Sequence, residues 1–341
     1  MKKIIFSIAA AAMAMAACTQ TDVVYEDGSE IGLVPVNYTA TKLNYGPVDG
    51  TDYPTTESFG VFAQHTTSNA QTSLNGDTGT LSPYLVKAGF KEDDTETGIW
   101  TGTPDPYYWP RTGSLYFAGY SPLGTTGTLS YDFNTDNTQN LNIDGFKQGP
   151  YVYTDGTSVP AGYGMIDLMW FDADASSNSG TVAATFNHAL TYLTFNFTAA
   201  VDDLFTIKSV TLENVYFAGD FDSKNGNPVW SGLNDQRNLS LYSTDKVLKV
   251  NTAFTVDDVL VIPQTTSYLT IVYTQKASAT NPEITMEYRA QLTGGENTDA
   301  EDLVWLYGKH YTYSISIAAD EIKIDPDVKE WTKVEKSVDI E

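Results

Sequence analysis

The chain has 341 residues, 41% of them hydrophobic, which is enough for more than one core and too apolar for wholesale disorder. Its formal net charge of −24 argues against nucleic acid and anionic membrane surfaces as partners, because both repel such a chain. A single cysteine, Cys18, excludes any intramolecular disulfide.

The N-terminus "MKKIIFSIAAAAMAMAAC" opens with Lys2 and Lys3, continues as an apolar, Ala-rich run, and ends in small residues before Cys18. It reads as a secretory signal over residues 1–17, too short and too Ala-rich for a comfortable membrane span. Cys18 directly after "MAMAA" resembles a bacterial lipobox, in which the thiol receives a diacylglycerol and the signal is cut before it. The alternative is an ordinary signal with a free thiol. Several acyl chains at about 0.8 kcal/mol per buried CH₂ would anchor the chain stably. Residues 18–30 are short, polar and Gly-bearing, and read as a tether.

The next stretch, "LVPVNYTATKLNYGPVDG" (33–50), places Val34, Val36, Tyr38 and Ala40 in alternation with Pro35, Asn37 and Thr39, the period of a half-buried strand. It runs into Lys42, the only Lys or Arg between Lys3 and Lys87, and then into a Gly46-Pro47 turn.

From there the chain has no long apolar run of helical period. Strands are expected at "ESFGVFAQHT", "SLYFAGYSP", "YLTFNFTA", "IKSVTLENVYFAG", "VLVIPQ", "YLTIVYTQ", "ITMEYRAQL" and "YTYSISIA", where Val, Ile, Thr, Tyr and Phe dominate. The class is all-β, with β-sandwich domains joined by long polar loops. Segments 64–83 and 130–150, rich in turn formers, are expected to be such loops, and "DADASSNSG" (172–180) a looser connector. In "TVAATFNHALTYLTFNFTAAVDD", Val182, Ala184, Phe186, His188 and Leu190 share one face, whereas Leu193, Phe195 and Phe197 share the other. The change of phase predicts a bulge or bend near residues 188–191. A domain boundary could fall at the connector or after this strand; the second placement gives units at 31–200 and 201–341.

Site chemistry is sparse. His65, His188 and His310 lack neighbouring ligands at metal spacing, and His188 sits in a strand that reads as core. Asp132, Asn134 and Asp136 begin like a calcium loop, but Gly at the sixth place and Glu at the twelfth are missing. There is no nucleophile elbow and no phosphate loop. Trp109, Trp170, Trp230, Trp305 and Trp331 lie in or beside strand-like runs and read as core. Neither enzyme, metal nor cofactor is expected. At the C-terminus "KVEKSVDIE" alternates, with Val334, Val338 and Ile340 on one face; it is either the last strand of its own domain or a strand for insertion elsewhere.

Taken in order, the lipobox at Cys18, "SFGVFA" (58–63), "YYWPRTGSLYFAGYSP" (107–122), "DLMWF" with "VAATFNHALTYLTF", "VTLENVYFAGDFDSKNGNPVW", and "VWLYGKHYTYSISIA" with the segment from 322 to the end resemble the fimbrillin family, the pilin-like lipoproteins of Bacteroidales type V fimbriae. The resemblance implies two tandem transthyretin-like β-sandwich domains. It implies a lipidated precursor carried to the outer membrane, where an Arg- or Lys-specific protease removes the N-terminal segment with its first strand. A donor strand from another subunit, self or heterologous, then fills the groove, and the mature form stands on the cell surface, as stalk or as accessory or tip subunit, in fimbriae that support adhesion. On that footing Lys42 is the candidate processing site, although many relatives carry Arg there. Val34, Val36, Tyr38 and Ala40 mark the candidate displaced strand, and Val334, Val338 and Ile340 the candidate donor strand. The competing reading is a monomeric surface lipoprotein that binds a glycan, or another host or bacterial surface ligand, through loop aromatics.

Overall fold

Alternating apolar and polar residues with β-branched and aromatic side chains build strands almost throughout, and the computed structural model is all-β. It describes residues 29–36, 53, 58–66, 84–94, 98–110, 112–133, 138–148, 165–175, 180–276, 283–294 and 303–331.

The first strands are β1 (Gly32–Val36), β2 (Ser58–Thr66), β3 (Leu85–Asp94), β4 (Ile99–Thr103), β5 (Ser114–Ser121), β6 (Thr128–Phe133) and β7 (Gln139–Lys147). They are followed by β8 (Met169–Ala175), β9 (Thr181–Thr185), β10 (Asn187–His188), β11 (Thr191–Ala199), β12 (Phe205–Asp222) and β13 (Val229–Tyr242). The last are β14 (Lys246–Val247), β15 (Phe254–Val261), β16 (Tyr268–Gln275), β17 (Ile284–Gln291), β18 (Lys309–Ile317) and β19 (Ile322–Glu330).

One eight-stranded sheet, in the order β10-β8-β5-β2-β3-β4-β1-β9, curls round a first core. That core takes Phe59 and Val61 from β2, Phe90 from β3, Trp100 from β4, Phe117 from β5 and Phe171 from β8. A four-stranded sheet, β15-β11-β18-β19, packs against a seven-stranded one built on β17-β16-β12-β7-β6, with β13 and β14 also bonded to β12. Between them lies the second core, which includes Phe195, Phe197, Ile207, Ile271, Trp305, Tyr313 and Ile315. Two facing sheets with apolar inner faces make a sandwich.

The period of two lets single strands serve both cores. On β2, Phe59, Val61 and Ala63 enter the first core and Phe62 the second; on β8, Met169 and Phe171 enter the first and Trp170 the second. The expected bend at residues 188–191 is the hand-over between them. Val182, Ala184 and Phe186 end the first core, Ala189 and Leu190 turn the chain, and Leu193, Phe195 and Phe197 continue in the second.

Two expectations are corrected. Segment 130–150 is not a loop but carries most of the β6–β7 hairpin, with Leu141, Ile143 and Phe146 buried. Its Asn and Asp residues occupy the outward positions of a strand rather than turns. Asp172 to Ala175 of the expected connector, likewise, belong to β8. Hydrogen bonding also runs across residue 200, the expected boundary between units 31–200 and 201–341. β11 pairs with β15 and β18, and β7 pairs with β12, because the inward faces of β7 and β11 match the second core.

The β6–β7 hairpin joins the sheets. Its backbone extends the seven-stranded sheet, while Tyr131 stacks on Phe62 and Phe133 packs on Tyr116, both from the outer face of the first sheet. Tyr131 donates to Gln139, and Gln139 donates to Asp174 of β8 at 3.0 Å. Burial, reinforced by the nearby Asp174 and Asp172 carboxylates, pushes the Tyr131 phenol far up.

Candidate functional site

Two places in the fold bear on assembly: the slot that holds the N-terminal strand, and the root of the C-terminal segment. At the slot, β1 lies between two strands. Gly32 to Val36 pair in parallel with Thr181 to Thr185 of β9, and Leu33 sits opposite Trp100 of β4. Just upstream, Ile31 N–H donates to Tyr107 O and Trp109 N–H to Ser29 O. The approach is close at Gly32, where a Cβ would stand 2.9 Å from Ile99 Cγ2 and 3.0 Å from Thr181 Cγ2. A larger residue there would push β1 away from its neighbours.

Ile31 and Leu33 are fully buried and belong to the first core. Val34, of the expected displaced strand, is half-buried and lies outside both cores, so Ile31 and Leu33 are the β1 side chains that face the first core. The floor of the slot is aromatic. Tyr53 stacks on Phe186 at 5.3 Å and meets Trp100 edge-on at 4.8 Å, while Phe59 lies 5.3 Å from Trp100. Tyr53 also hydrogen-bonds through its hydroxyl to Ser121 Oγ at 2.5 Å. Each buried β1 side chain contributes roughly 1.5–3 kcal/mol. Taking β1 out would uncover this floor and leave unpaired edges on β4 and β9.

At the other end, Trp331 follows β19 and is buried. Its backbone N–H donates to Gly308 O, and His188 and Tyr192 pack on its ring. His188 Nδ1 is 3.0–3.1 Å from the buried carboxylate of Asp167. Tyr192 stacks on His310 and donates to Asp257, as does Thr194. Thr194 has spent its single proton on Asp257, so His310 Nε2 is the donor in its 2.8 Å bond to Thr194 Oγ1. Nearby, Trp305 Nε1 donates to the Tyr313 hydroxyl, and burial pushes that phenol far up.

Of the residues named for lipidation, processing and strand exchange, only Val34 and Val36 lie in a described strand. Cys18, Tyr38, Ala40, Lys42, Val334, Val338 and Ile340 lie outside the described residues. Trp109, Trp170, Trp305 and Trp331 are buried and Trp230 is half-buried, as expected for core. Asp132 accepts a hydrogen bond from Asn142 across the β6–β7 hairpin. Among the described residues no three His, Cys, Asp or Glu side chains gather as a metal group. Sequence reasoning missed Ile31, Leu33 and Tyr53. The apolar pair "IGL" beside "VPV" was the signal for the first two, and the isolated Tyr53 gave none.

The protein is thus all-β: a curled sheet that holds β1 between β4 and β9, followed by a sandwich that buries Trp331. The fimbrillin-like family model matches residues 48–331, and the chain belongs to that family. No curated protein matches the chain. Among solved structures, a fimbrial protein of Bacteroides vulgatus is similar over 89% of this chain and 99% of its own, with a TM-score of 0.58 at 16% identity. A Bacteroides ovatus protein assigned to cell adhesion is similar over 91% of this chain and 100% of its own, with a TM-score of 0.55 at 16% identity. Likenesses at that identity speak for the fold. Family membership makes the chain a structural fimbrial protein of the cell surface, associated with other fimbrial subunits, and not an enzyme.

Proposed function

We propose that the chain is the precursor of a fimbrial subunit, anchored to the outer membrane through a lipid on Cys18 and activated by loss of its N-terminal strand. A trypsin-like protease cuts after Lys42, β1 leaves with the lipid, and an extended strand from another subunit takes its place. The observation that carries this reading is the docking of β1. It fills the first core with Ile31 and Leu33 and is bonded on both sides, yet it comes from the far N-terminus of the chain. Tyr53, which anchors the chain in the same core, lies beyond Lys42 and stays behind after the cut. The family match begins at residue 48, also beyond Lys42.

The replacement is physically favourable. An intruding strand recovers the burial of the apolar floor and the backbone ladders of β4 and β9, against an association cost of several kcal/mol. Val334, Val338 and Ile340 form the donor face. The test is limited trypsin treatment of the purified protein, with N-terminal mass and oligomer size read together. A new start at Leu43 followed by heat-stable multimers is expected. Resistance at Lys42, or cutting with no assembly, would overturn the proposal in favour of a monomeric surface protein.

A further inference from the structure

The sheets around the second core end in strands that are treated very differently. An uncovered strand edge invites pairing with another chain, and soluble proteins block it with bulges, Pro and charge. β13 breaks register with β12 in three places and carries Asp235 at φ 56°. β15 is interrupted opposite Leu193–Phe195 and carries Asp258 at φ 61°. β19 holds Pro326 and two flanking Lys–Asp pairs, Lys323–Asp325 and Lys329–Asp327. β6 is short and lays Tyr131 and Phe133 on the first sheet.

β17 has none of these devices. It pairs with β16 over all eight residues, Ile284↔Gln275 to Gln291↔Tyr268, without a shift. Among the described strands it ends the seven-stranded sheet, and Ile284 at its start is 55% exposed. Its one basic side chain does not guard the edge. Arg289 folds back across β16, 3.7 Å over the Tyr268 ring, and bonds to Glu213 of β12.

The side chains of β17 are also complementary to themselves. In an antiparallel pairing of two copies centred on Tyr288, Glu287 faces Arg289 of the second copy, Met286 faces Ala290, and Thr285 faces Gln291. Acid meets base, apolar meets apolar and polar meets polar, each twice across the two-fold. Thr285, Glu287, Arg289 and Gln291 are exposed, and Met286, Tyr288 and Ala290 are half-buried on the inner face. A guanidinium has five donors, so Arg289 can accept the second carboxylate while keeping Glu213.

We infer that β17 is a self-pairing edge through which two copies of this chain join their seven-stranded sheets side by side. This contact is lateral and does not depend on the strand exchange proposed above. An eight-residue ladder makes a small interface, so the association is weak and concentration-dependent.

The test is sedimentation of the purified protein over a concentration series reaching about 100 micromolar, with amide hydrogen exchange followed across residues 284–291. A monomer–dimer equilibrium is expected, with the β17 amides that point away from β16 slowing as the dimer forms. Glu287→Arg, and separately Arg289→Glu carried with Glu213→Gln, each set like charges opposite one another and weaken the dimer by about tenfold or more. Mixing the two variants restores opposite charges on both sides and should restore pairing, which also shows that both are folded. A protein monomeric throughout, a dimer indifferent to both variants, or no recovery on mixing overturns the inference. So does protection, in the monomer, of the β17 amides that point away from β16, which would mean that another segment of the same chain covers the edge.

Discussion

The His188 imidazole lies flat on the Trp331 indole, with ring centres 3.6 Å apart and planes within 5°. His188 comes from the bend where the first core hands over to the second, and Trp331 from the end of β19, so this contact ties the root of the C-terminal segment to the middle of the chain. Trp331→Ala should cost about 3–5 kcal/mol in denaturant unfolding and speed tryptic cutting at Lys333 and Lys336. His188→Ala removes both the stack and a partner of the buried Asp167, at about 1–3 kcal/mol. A Trp331→Ala protein as stable as the parent, with its tail cut no faster, would mean that the stack anchors nothing.

Leu33 makes the fate of β1 measurable. Leu33→Ala should destabilise the intact chain by about 2–5 kcal/mol, because the side chain is fully buried in the first core. After cleavage at Lys42 and loss of β1 the same substitution should have no effect. Urea midpoints of parent and variant before and after trypsin give four values. A difference that persists after cleavage would show that β1 remains docked.

Strands rich in Val, Ile, Tyr and Phe were legible in the sequence, as was the hand-over at residues 188–191, because their side chains alternate without interruption. β6 and β7 were not, because local composition and period pointed opposite ways. "QNLNIDGF" has the turn formers of a loop and the alternation of a strand, and the deciding partner, β12, lies far along the chain. β13 and β19 were obscured by Gly, Pro and charge, the same features that protect them as edges. At β1 both alternating sets, Ile31 with Leu33 and Val34 with Val36, are apolar, so period alone could not say which faces the core. Residue 200 was a plausible boundary on composition. That β11 completes a sheet with β15 and β18 is a long-range fact with no local mark.

The corrected hairpin carries its own test. Leu141→Ala or Phe146→Ala should cost about 2–5 kcal/mol, whereas substitutions in an ordinary surface loop stay within about 0.5 kcal/mol. Loss of the hairpin should also loosen the outer face of the first sheet, through Tyr131 on Phe62. Hydrogen exchange on β2 and β5 in the Phe146→Ala protein reads that coupling. Faster exchange confined to β7 would argue that the hairpin belongs to the second core alone.

Two carboxylates should give the stability profile opposite slopes in acid. The hydrogen bond from Arg289, with a second from Thr270, holds Glu213 below its ordinary value of 4.5. The folded protein therefore releases this proton more readily than the unfolded chain. The stabilisation is present above about pH 4.5 and is lost as the pH falls through the lower folded value. Burial raises Asp174 above its ordinary value of 3.8, so the sign reverses. Its contribution is fully present below about pH 3.8 and is lost as the pH rises through the folded value. Glu213→Gln should therefore match the parent in strong acid and fall behind as the pH rises through the titration. Asp174→Asn, which keeps an oxygen for Gln139, should gain on the parent over its own window. Urea midpoints from about pH 3 to about pH 7 for the three proteins decide the matter. Arg289 is half-exposed, so added salt should shrink the Glu213 effect. Parallel profiles for parent and Glu213→Gln would show that the Glu213–Arg289 pair adds no net stability.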